Sequence, residues 1–349
     1  MTKKVYVGMS GGVDSSVTAA LLQQQGYDVT GVYMKNWTTD VAGYTCSWQT
    51  DFQDAKRVAV QLKIPFKVYD FESQYRQRVI DIMLEEYKAG RTPNPDVICN
   101  QEIKFKLFLE TALADGAEMI ATGHYARLKN GHLYMANDKS KDQSYFLYRT
   151  TAEALRKTIM PLGTYKKSYV RSLAKKLNLA TATKKDSQGI CFMGEIPIAD
   201  FLVAELGQQP PGLVIDQSGK QVGTHEGTIL YTIGQRHGLH IGGGLPYYVT
   251  GKNVKRNEIY VTTDLQDKAL WRRVLDLADT HWINNPPNKT SHYEVCIRYH
   301  SSLISIKRIE KLSTKHVRLI LDEDIKAATS GQSAVIYNND HCIGGGLIV

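Results

Sequence analysis

The chain has no run of about 18 apolar residues, so it offers no candidate membrane-spanning helix. Cysteine is scarce: Cys46, Cys99, Cys191, Cys296 and Cys342 are all there are. No two of them form a Cys-x-x-Cys pair, which argues against a zinc site, and no metal ligand set is expected. The odd number argues against a structural disulfide framework. Internal repeats and low-complexity segments are absent as well. Met1-Thr2-Lys3-Lys4 leads straight into an apolar strand and leaves no room for a signal or transit peptide, so a cytoplasmic protein is expected. One absence is local. Between Ala154 and Lys185 there is no acidic side chain, yet the stretch holds Arg156, Lys157, Lys166, Lys167, Arg171, Lys175, Lys176, Lys184 and Lys185. The net charge is +8, from 43 basic and 35 acidic residues, and a patch of this kind favours a polyanion such as nucleic acid.

The most informative segment is Gly8-Met9-Ser10-Gly11-Gly12-Val13-Asp14-Ser15-Ser16, between the strand-like Val5–Met9 and the helix-like Ser15–Gln25. A glycine- and serine-rich turn opening a helix presents free backbone N–H groups and a positive dipole end to an anion. No Gly-Lys-Ser/Thr follows, so this is not a Walker loop. The Asp14 carboxylate would repel phosphate unless a cation such as Mg²⁺ stands between them. That combination points to a nucleotide whose α-phosphate reacts and whose pyrophosphate leaves.

Strand-like runs at Val5–Met9, Asp28–Met34, Phe66–Tyr69 and Glu118–Thr122 alternate with amphipathic segments at Ser15–Gln25, Phe52–Leu62, Tyr75–Tyr87 and Ile103–Ala114. The alternation predicts an α/β fold with a doubly wound parallel sheet and a ligand at the carboxyl ends of its strands. His132–Met135, between Asn130-Gly131 and Asn137-Asp138, reads as a hairpin insertion. Beyond Leu206 the pattern changes to glycines, prolines and short alternating strands. We expect residues 1–206 to form the nucleotide domain, 207–267 a small middle module, and 268–349 a C-terminal β-barrel.

Two thiols stand in unusual company. Cys99 follows Thr92-Pro93-Asn94-Pro95-Asp96, with Asn100 as the expected N-cap of a helix from about Glu102. A thiol there would gain thiolate character, with Asp96 near enough to carry a proton. Cys191 follows Lys184-Lys185-Asp186-Ser187-Gln188-Gly189, an electropositive loop. Cys46 reads as exposed, and Cys296 and Cys342 as inert strand residues.

These motifs together carry a resemblance: Ser10–Ser16, Thr92–Asn100, Ala121-Thr-Gly-His-Tyr125, Lys141-Asp-Gln-Ser-Tyr-Phe-Leu147, Lys184–Phe192 and Tyr231–Gly238. The chain closely resembles the bacterial tRNA-specific 2-thiouridylases, which are PP-loop ATPases. The resemblance implies that Gly8, Met9, Ser10, Gly11, Gly12, Val13, Asp14 and Ser15 bind ATP with its Mg²⁺, with Met34 and Gly123 near the adenosine. It implies that a wobble uridine is flipped out of tRNA and adenylated on its 2-carbonyl oxygen. A persulfide on Cys191, loaded by a cysteine desulfurase or sulfur-relay protein, then delivers sulfur. Cys99 is the second nucleophile and Asp96 the acid/base. Asn94, Pro95 and Asp96 hold the target base, and His124, Lys141, Asp142, Gln143, Arg298, Tyr299 and Gln332 contact tRNA. Arg298 and Tyr299 independently offer a cation beside an aromatic ring, suited to phosphate and base. Two other readings stay open: another PP-loop ligase or amidotransferase that adenylates a carboxylate or carbonyl, and a non-catalytic RNA-binding protein with a vestigial nucleotide site.

Overall fold

The computed structural model describes residues 2–349 except Ala42, residues 187–193, Glu195, His240, Gly243 and Lys289. The first part of the chain supplies β1 (Lys4–Gly8), β2 (Asp28–Lys35), β3 (Phe66–Asp70), β4 (Met119–Ala121), the hairpin β5 (Ala126–Lys129) and β6 (His132–Met135), and β7 (Thr158–Ile159). A fully parallel sheet runs in the order β3-β2-β1-β4-β7. Its central strand shows why both faces must be covered. Val5 and Val7 point to one side, against Val17 and Leu22 of α1 (Val13–Gln24) and Val58 of α2 (Trp48–Leu62). Tyr6 points to the other, among Tyr75, Ile80, Ile103 and Phe108. The chain leaves β1 toward β2 on one flank and meets β4 on the other. A crevice therefore opens at the carboxyl ends of β1 and β4.

The layer against Tyr6 contains two long helices, residues 72–88 and 95–114, each with a π-wound stretch in its middle. The second begins earlier than expected. Asn94 is extended (φ −112°, ψ 97°), and its side chain accepts from the N–H groups of Asp96 (3.2 Å) and Val97 (3.3 Å). Pro95 takes the first helical position, where no N–H is needed. Asn100 is therefore not a cap; it is buried inside the helix, its Nδ2 donating to the Phe146 carbonyl at 3.2 Å.

After the helix Ile198–Leu206 come β8 (Gly212–Asp216), β9 (Gln221–His225), β10 (Tyr248–Asn253) and β11 (Glu258–Thr262), in the order β10-β11-β8-β9 around Val214, Val249, Ile259 and Val261. The remaining strands are β12 (Trp271–Trp282), β13 (Tyr293–Cys296), β14 (Ile304–Lys311), β15 (Val317–Lys326), β16 (Ser333–Asn338) and β17 (His341–Ile348). They follow the order β12-β15-β14-β13-β16-β17, and the β12–β17 pairing closes the barrel. Val295 faces its interior with Leu275 and Leu319, while Cys296, Tyr337 and Cys342 face outward into the same core as Tyr145 and Leu133. The expected hairpin is present, but it joins the barrel: Tyr134 and Leu133 of β6 pair with His341 and Cys342 of β17. The parallel-sheet part and the barrel thus share a hydrophobic core, which fixes what either contributes to the crevice.

Candidate active site

At the switch point the chain leaves β1 with a turn that only its own residue types allow. Gly11 has φ +74°, and a Cβ there would collide with the main-chain carbonyl of Asp51 in the first turn of α2. Ser15 Oγ donates to the Gly12 carbonyl (3.1 Å) and accepts from the Ser10 N–H (3.2 Å), while Ser16 Oγ also reaches Gly12 O (2.8 Å). These bonds hold the loop open, so the first amides of α1 point away from the sheet without intrahelical acceptors. Gly123, following β4, passes so close that a Cβ would lie 2.9 Å from Asp14 C and Ser15 N. The two glycines let three backbones converge, forming an anion cradle at a helix N-terminus.

A cleft of about 490 Å³ opens on this cradle, within the range of small-ligand sites. Of the residues singled out from sequence, Gly8, Ser10, Gly12, Val13, Asp14, Ser15, Met34, Gly123, His124, Lys141, Gln143 and Tyr299 line it. Met9 and Gly11 lie buried beneath, with Met9 N–H donating to Val32 O at 2.8 Å. A cation of the chain itself stands beside Asp14. Lys167 Nζ reaches both Asp14 oxygens at 2.8 and 2.7 Å, and Tyr125 OH donates to Asp14 Oδ1 at 2.9 Å. Lys167 also bridges to Asp186 at 2.8 Å, where Lys141 (3.2 Å) and Arg171 join it. Burial would push the Asp186 carboxyl up, but Lys167, Lys141 and Arg171 outweigh it and hold the group at about 2. Lys184 is likewise taken up by Asp51 (2.7 Å) and Asp54 (2.6 Å) of α2. The acid-free stretch therefore divides: Lys167, Arg171 and Lys184 turn inward, while Arg156, Lys157, Lys166, Lys175, Lys176 and Lys185 stay exposed.

Across the cleft stands an aromatic wall of Phe146, Tyr299 and His300, with ring centroids 4.5 Å apart for Phe146–Tyr299 and 3.8 Å for Tyr299–His300. His124 sits beside Phe105, its Nδ1 2.8 Å from Thr122 Oγ1. Burial, followed by the charge of Lys104, pushes its pKa well down, so the imidazole is neutral at pH 7. Gln143 Oε1 accepts from the Tyr125 N–H at 3.0 Å. Asp142 does not line the cleft; its carboxylate is occupied by Ala136 N–H and Ser144 Oγ, both at 2.7 Å.

The segment carrying Asn94, Pro95 and Asp96 is clamped from two sides. Gln332 Nε2 donates to the carbonyl of Thr92 (2.7 Å), Thr92 N–H donates to Ser330 O (2.9 Å), and Thr92 Oγ1 lies 3.3 Å from Thr232 Oγ1 of the middle part. Arg298 closes the same seam, its Nη2 donating to Ile233 O (3.0 Å), Ala327 O (2.7 Å) and Thr329 Oγ1 (3.1 Å). Gln332 and Arg298 thus bind protein carbonyls in this structure, whereas Tyr299 faces the cleft.

The thiol environments differ from those expected. Cys99 is fully buried, five residues into its helix rather than at a helix start, so neither loop exposure nor the first-turn dipole acts on it. The bond from Asn100 to Phe146 nevertheless ties its helix to the aromatic wall, and Phe146 and Tyr299 pack against the core cluster that contains Cys99. Cys46 is buried, not exposed, and burial raises its pKa. Cys296 and Cys342 are buried with pKa values raised by burial, in keeping with inert thiols. Cys191 lies outside the described residues. Sequence reasoning missed Lys167, Asp186, Phe146 and His300 as cleft residues, although Phe146 and Asp186 lay inside motifs already noted.

Among the described residues no cluster of three or more His, Cys, Asp or Glu side chains could hold a metal ion, and no helix is long and apolar enough to cross a membrane. A family model described as a tRNA methyl transferase HUP domain matches residues 3–195. Models described as a tRNA methyl transferase PRC-barrel domain and an aminomethyltransferase beta-barrel domain match residues 199–263 and 272–348. The chain is 45% identical over 353 residues to the tRNA-specific 2-thiouridylase MnmA of Bacillus cereus, covering 99% of this chain and 94% of that protein. The same identity and coverage hold over 351 residues for its counterpart in Bacillus cytotoxicus. A solved 4-thiouridine synthetase–RNA complex with bound ATP aligns at a TM-score of 0.38 and 16% identity, over 56% of this chain and 46% of that one, too slight a likeness to argue from.

Proposed function

The chain belongs to the tRNA-specific 2-thiouridylase family, and on that premise we propose that it exchanges the 2-oxygen of a tRNA wobble uridine for sulfur at the expense of ATP. The matched models and the named relatives agree on tRNA and differ on the group transferred. Chemistry favours sulfur. A cradle that releases pyrophosphate turns a carbonyl oxygen into a leaving group, a step that replacement of oxygen needs and methylation does not. The observation that carries the reading is the convergence of this cradle, an aromatic wall and the Cys99 helix on one cleft.

ATP binds with its phosphates on Gly8–Ser15 and its adenosine near Met34 and Gly123. The cleft fits a triphosphate: its lining includes the lysines 104, 141, 167 and 185 against the aspartates 14, 51 and 186. Asp14 and Asp186 are engaged with Lys167, so Mg²⁺ would be held chiefly by the triphosphate oxygens, whose charge it would neutralise. The flipped uridine meets the aromatic wall, and Asn94, Pro95 and Asp96 hold it. Its 2-oxygen attacks the α-phosphorus and the Pα–O bond to pyrophosphate breaks. The terminal sulfur of a Cys191 persulfide then bonds to carbon 2, and AMP leaves with the old oxygen. Attack of the Cys99 thiolate on Cys191 Sγ breaks the S–S bond, leaves the electron pair on the thiouridine, and yields a Cys99–Cys191 disulfide for reduction. Asp96 carries the proton.

His124, Lys141, Asp142, Gln143, Arg298, Tyr299 and Gln332 form the tRNA-facing set, some directly and some by fixing the Thr92–Asp96 segment. Domains at 1–206, 207–267 and 268–349, a persulfide-donating partner and a cytoplasmic location complete the reading. The test is AMP formation and 2-thiouridine content with unmodified tRNA. Cys99→Ser and Cys191→Ser should each abolish thiolation while tRNA-dependent ATP–pyrophosphate exchange, which reports adenylation alone, persists. Thiolation retained in either variant removes that cysteine from the mechanism. RNA binding without any tRNA-stimulated AMP formation by the wild type favours a non-catalytic binder.

A further inference from the structure

We infer that Lys167 is the phosphate-reading cation of the cleft: its ammonium group binds the pyrophosphate part of the nucleotide and stabilises it as it leaves. The inference rests on the nucleotide reading of Gly8–Ser15 and adds a residue to it. Lys167 begins the helix Lys167–Lys176, yet only 12% of its side chain is exposed. Its Nζ bridges two carboxylates, Asp14 in the first turn of α1 and Asp186, which also lines the cleft. It is thus held beside the helix N-terminus that receives phosphate, and it lines the same cleft.

The charges around it are arranged for exchange. Asp186 has two further cationic partners, Lys141 and Arg171, so it stays compensated if Lys167 moves off it. Asp14 keeps the Tyr125 hydroxyl as a donor. A polyphosphate oxygen entering the cradle can therefore replace one carboxylate in the lysine's coordination without leaving a buried charge alone. As the Pα–O bond breaks, its electron pair goes to the β-phosphate oxygen. A fixed ammonium at that oxygen lowers the barrier by meeting charge where it develops. The backbone position is tied down as well: Lys167 N–H donates to Asp138 Oδ2 at 2.9 Å.

The source of the phosphate could be the nucleotide or the RNA backbone, and the experiment separates them. Inorganic pyrophosphate and ATP are titrated calorimetrically into the full-length protein and its Lys167→Met, Lys167→Arg and Asp186→Asn variants, and unmodified tRNA is bound without nucleotide. Lys167→Met should weaken pyrophosphate at least tenfold and leave tRNA affinity within twofold. Lys167→Arg should restore most of the loss. Asp186→Asn should tighten pyrophosphate severalfold, because the lysine loses a competing carboxylate, a sign that mere structural damage would not give. Pyrophosphate affinity unchanged in Lys167→Met, or weakened by Asp186→Asn, overturns the assignment. So does a loss of tRNA affinity equal to that of pyrophosphate, which would turn the lysine toward the RNA backbone. If the wild type binds neither ATP nor pyrophosphate, the nucleotide reading itself falls; if it binds both and Lys167→Met binds both equally well, only the role of Lys167 falls.

Discussion

Gly123→Ala is the sharpest single perturbation of the cradle. A methyl group at this position meets Asp14 C and Ser15 N at 2.9 Å and Asp14 Cβ at 3.1 Å, against an ordinary contact of about 3.4–4 Å. The neighbours are backbone of the first turn of α1 and cannot rotate away, so α1 or the segment after β4 must shift by roughly half an ångström to one ångström. Overpacking of this kind costs about 1–3 kcal/mol of stability. The effect on activity should be larger than that cost suggests, since the displaced atoms bear the amides that face phosphate. A misplacement near 1 Å in a positioned site costs roughly a hundredfold in rate. Thermal melting should show the variant folded but a few degrees less stable, while kcat/KM for ATP in tRNA-stimulated AMP formation falls by about two orders of magnitude. Gly219→Ala is the control: it has φ +84° with nothing within 4 Å, so it should lose about 1 kcal/mol and no activity. ATP parameters for Gly123→Ala within twofold of wild type would refute the convergence of backbones on the nucleotide.

Gln332→Ala removes the clamp on Thr92 and Pro93, so kcat with tRNA should fall severalfold while ATP affinity measured by calorimetry is unchanged; a change confined to ATP would contradict the clamp. Cys99 is fully buried, so mass-spectrometric alkylation should find it as slow as Cys46, Cys296 and Cys342 in the free protein, and at least tenfold faster with tRNA bound; equal rates with and without tRNA would deny it a place at the base. Burial lowers the Lys252 pKa to about 8, its Nζ donating to the Tyr231 carbonyl at 2.8 Å. Between pH 8 and its unfolded value near 10.5 the unfolded chain binds the extra proton, so stability should rise with pH there, by at most about 1.4 kcal/mol per pH unit. Denaturant melts of Lys252→Met should lose that slope; an unchanged slope would show the lysine solvated.

Much of this site could be read from the chain before folding was considered. The strand–loop–helix at Val5–Gln24 is local, since its glycines, serines and apolar spacing act within a few residues. What could not be read involves distance or competition. Asn94-Pro95 is a cap followed by a first helical residue, and that signal overrode the stiff extended approach the two prolines suggested, carrying Cys99 into a buried helix. Lys167 meets Asp14 across 153 residues of chain, and nothing local distinguishes it from its exposed neighbour Lys166. The hairpin at His132–Met135 was legible as a hairpin, but its pairing with β17 depends on a barrel edge 200 residues later. Arg298 and Gln332 carry polar groups whose partners, carbonyls of other segments, exist only once three parts of the chain have met.

The central claim is that two thiols complete what the nucleotide cradle begins. Its most direct test is non-reducing peptide mapping after a single turnover on unmodified tRNA, with Cys191 loaded as a persulfide. Formation of the bond requires the two Cα atoms to come within about 4.4–6.8 Å. The account predicts a Cys99–Cys191 disulfide in amounts equal to the 2-thiouridine formed. Full thiolation with both cysteines recovered as free thiols would contradict it.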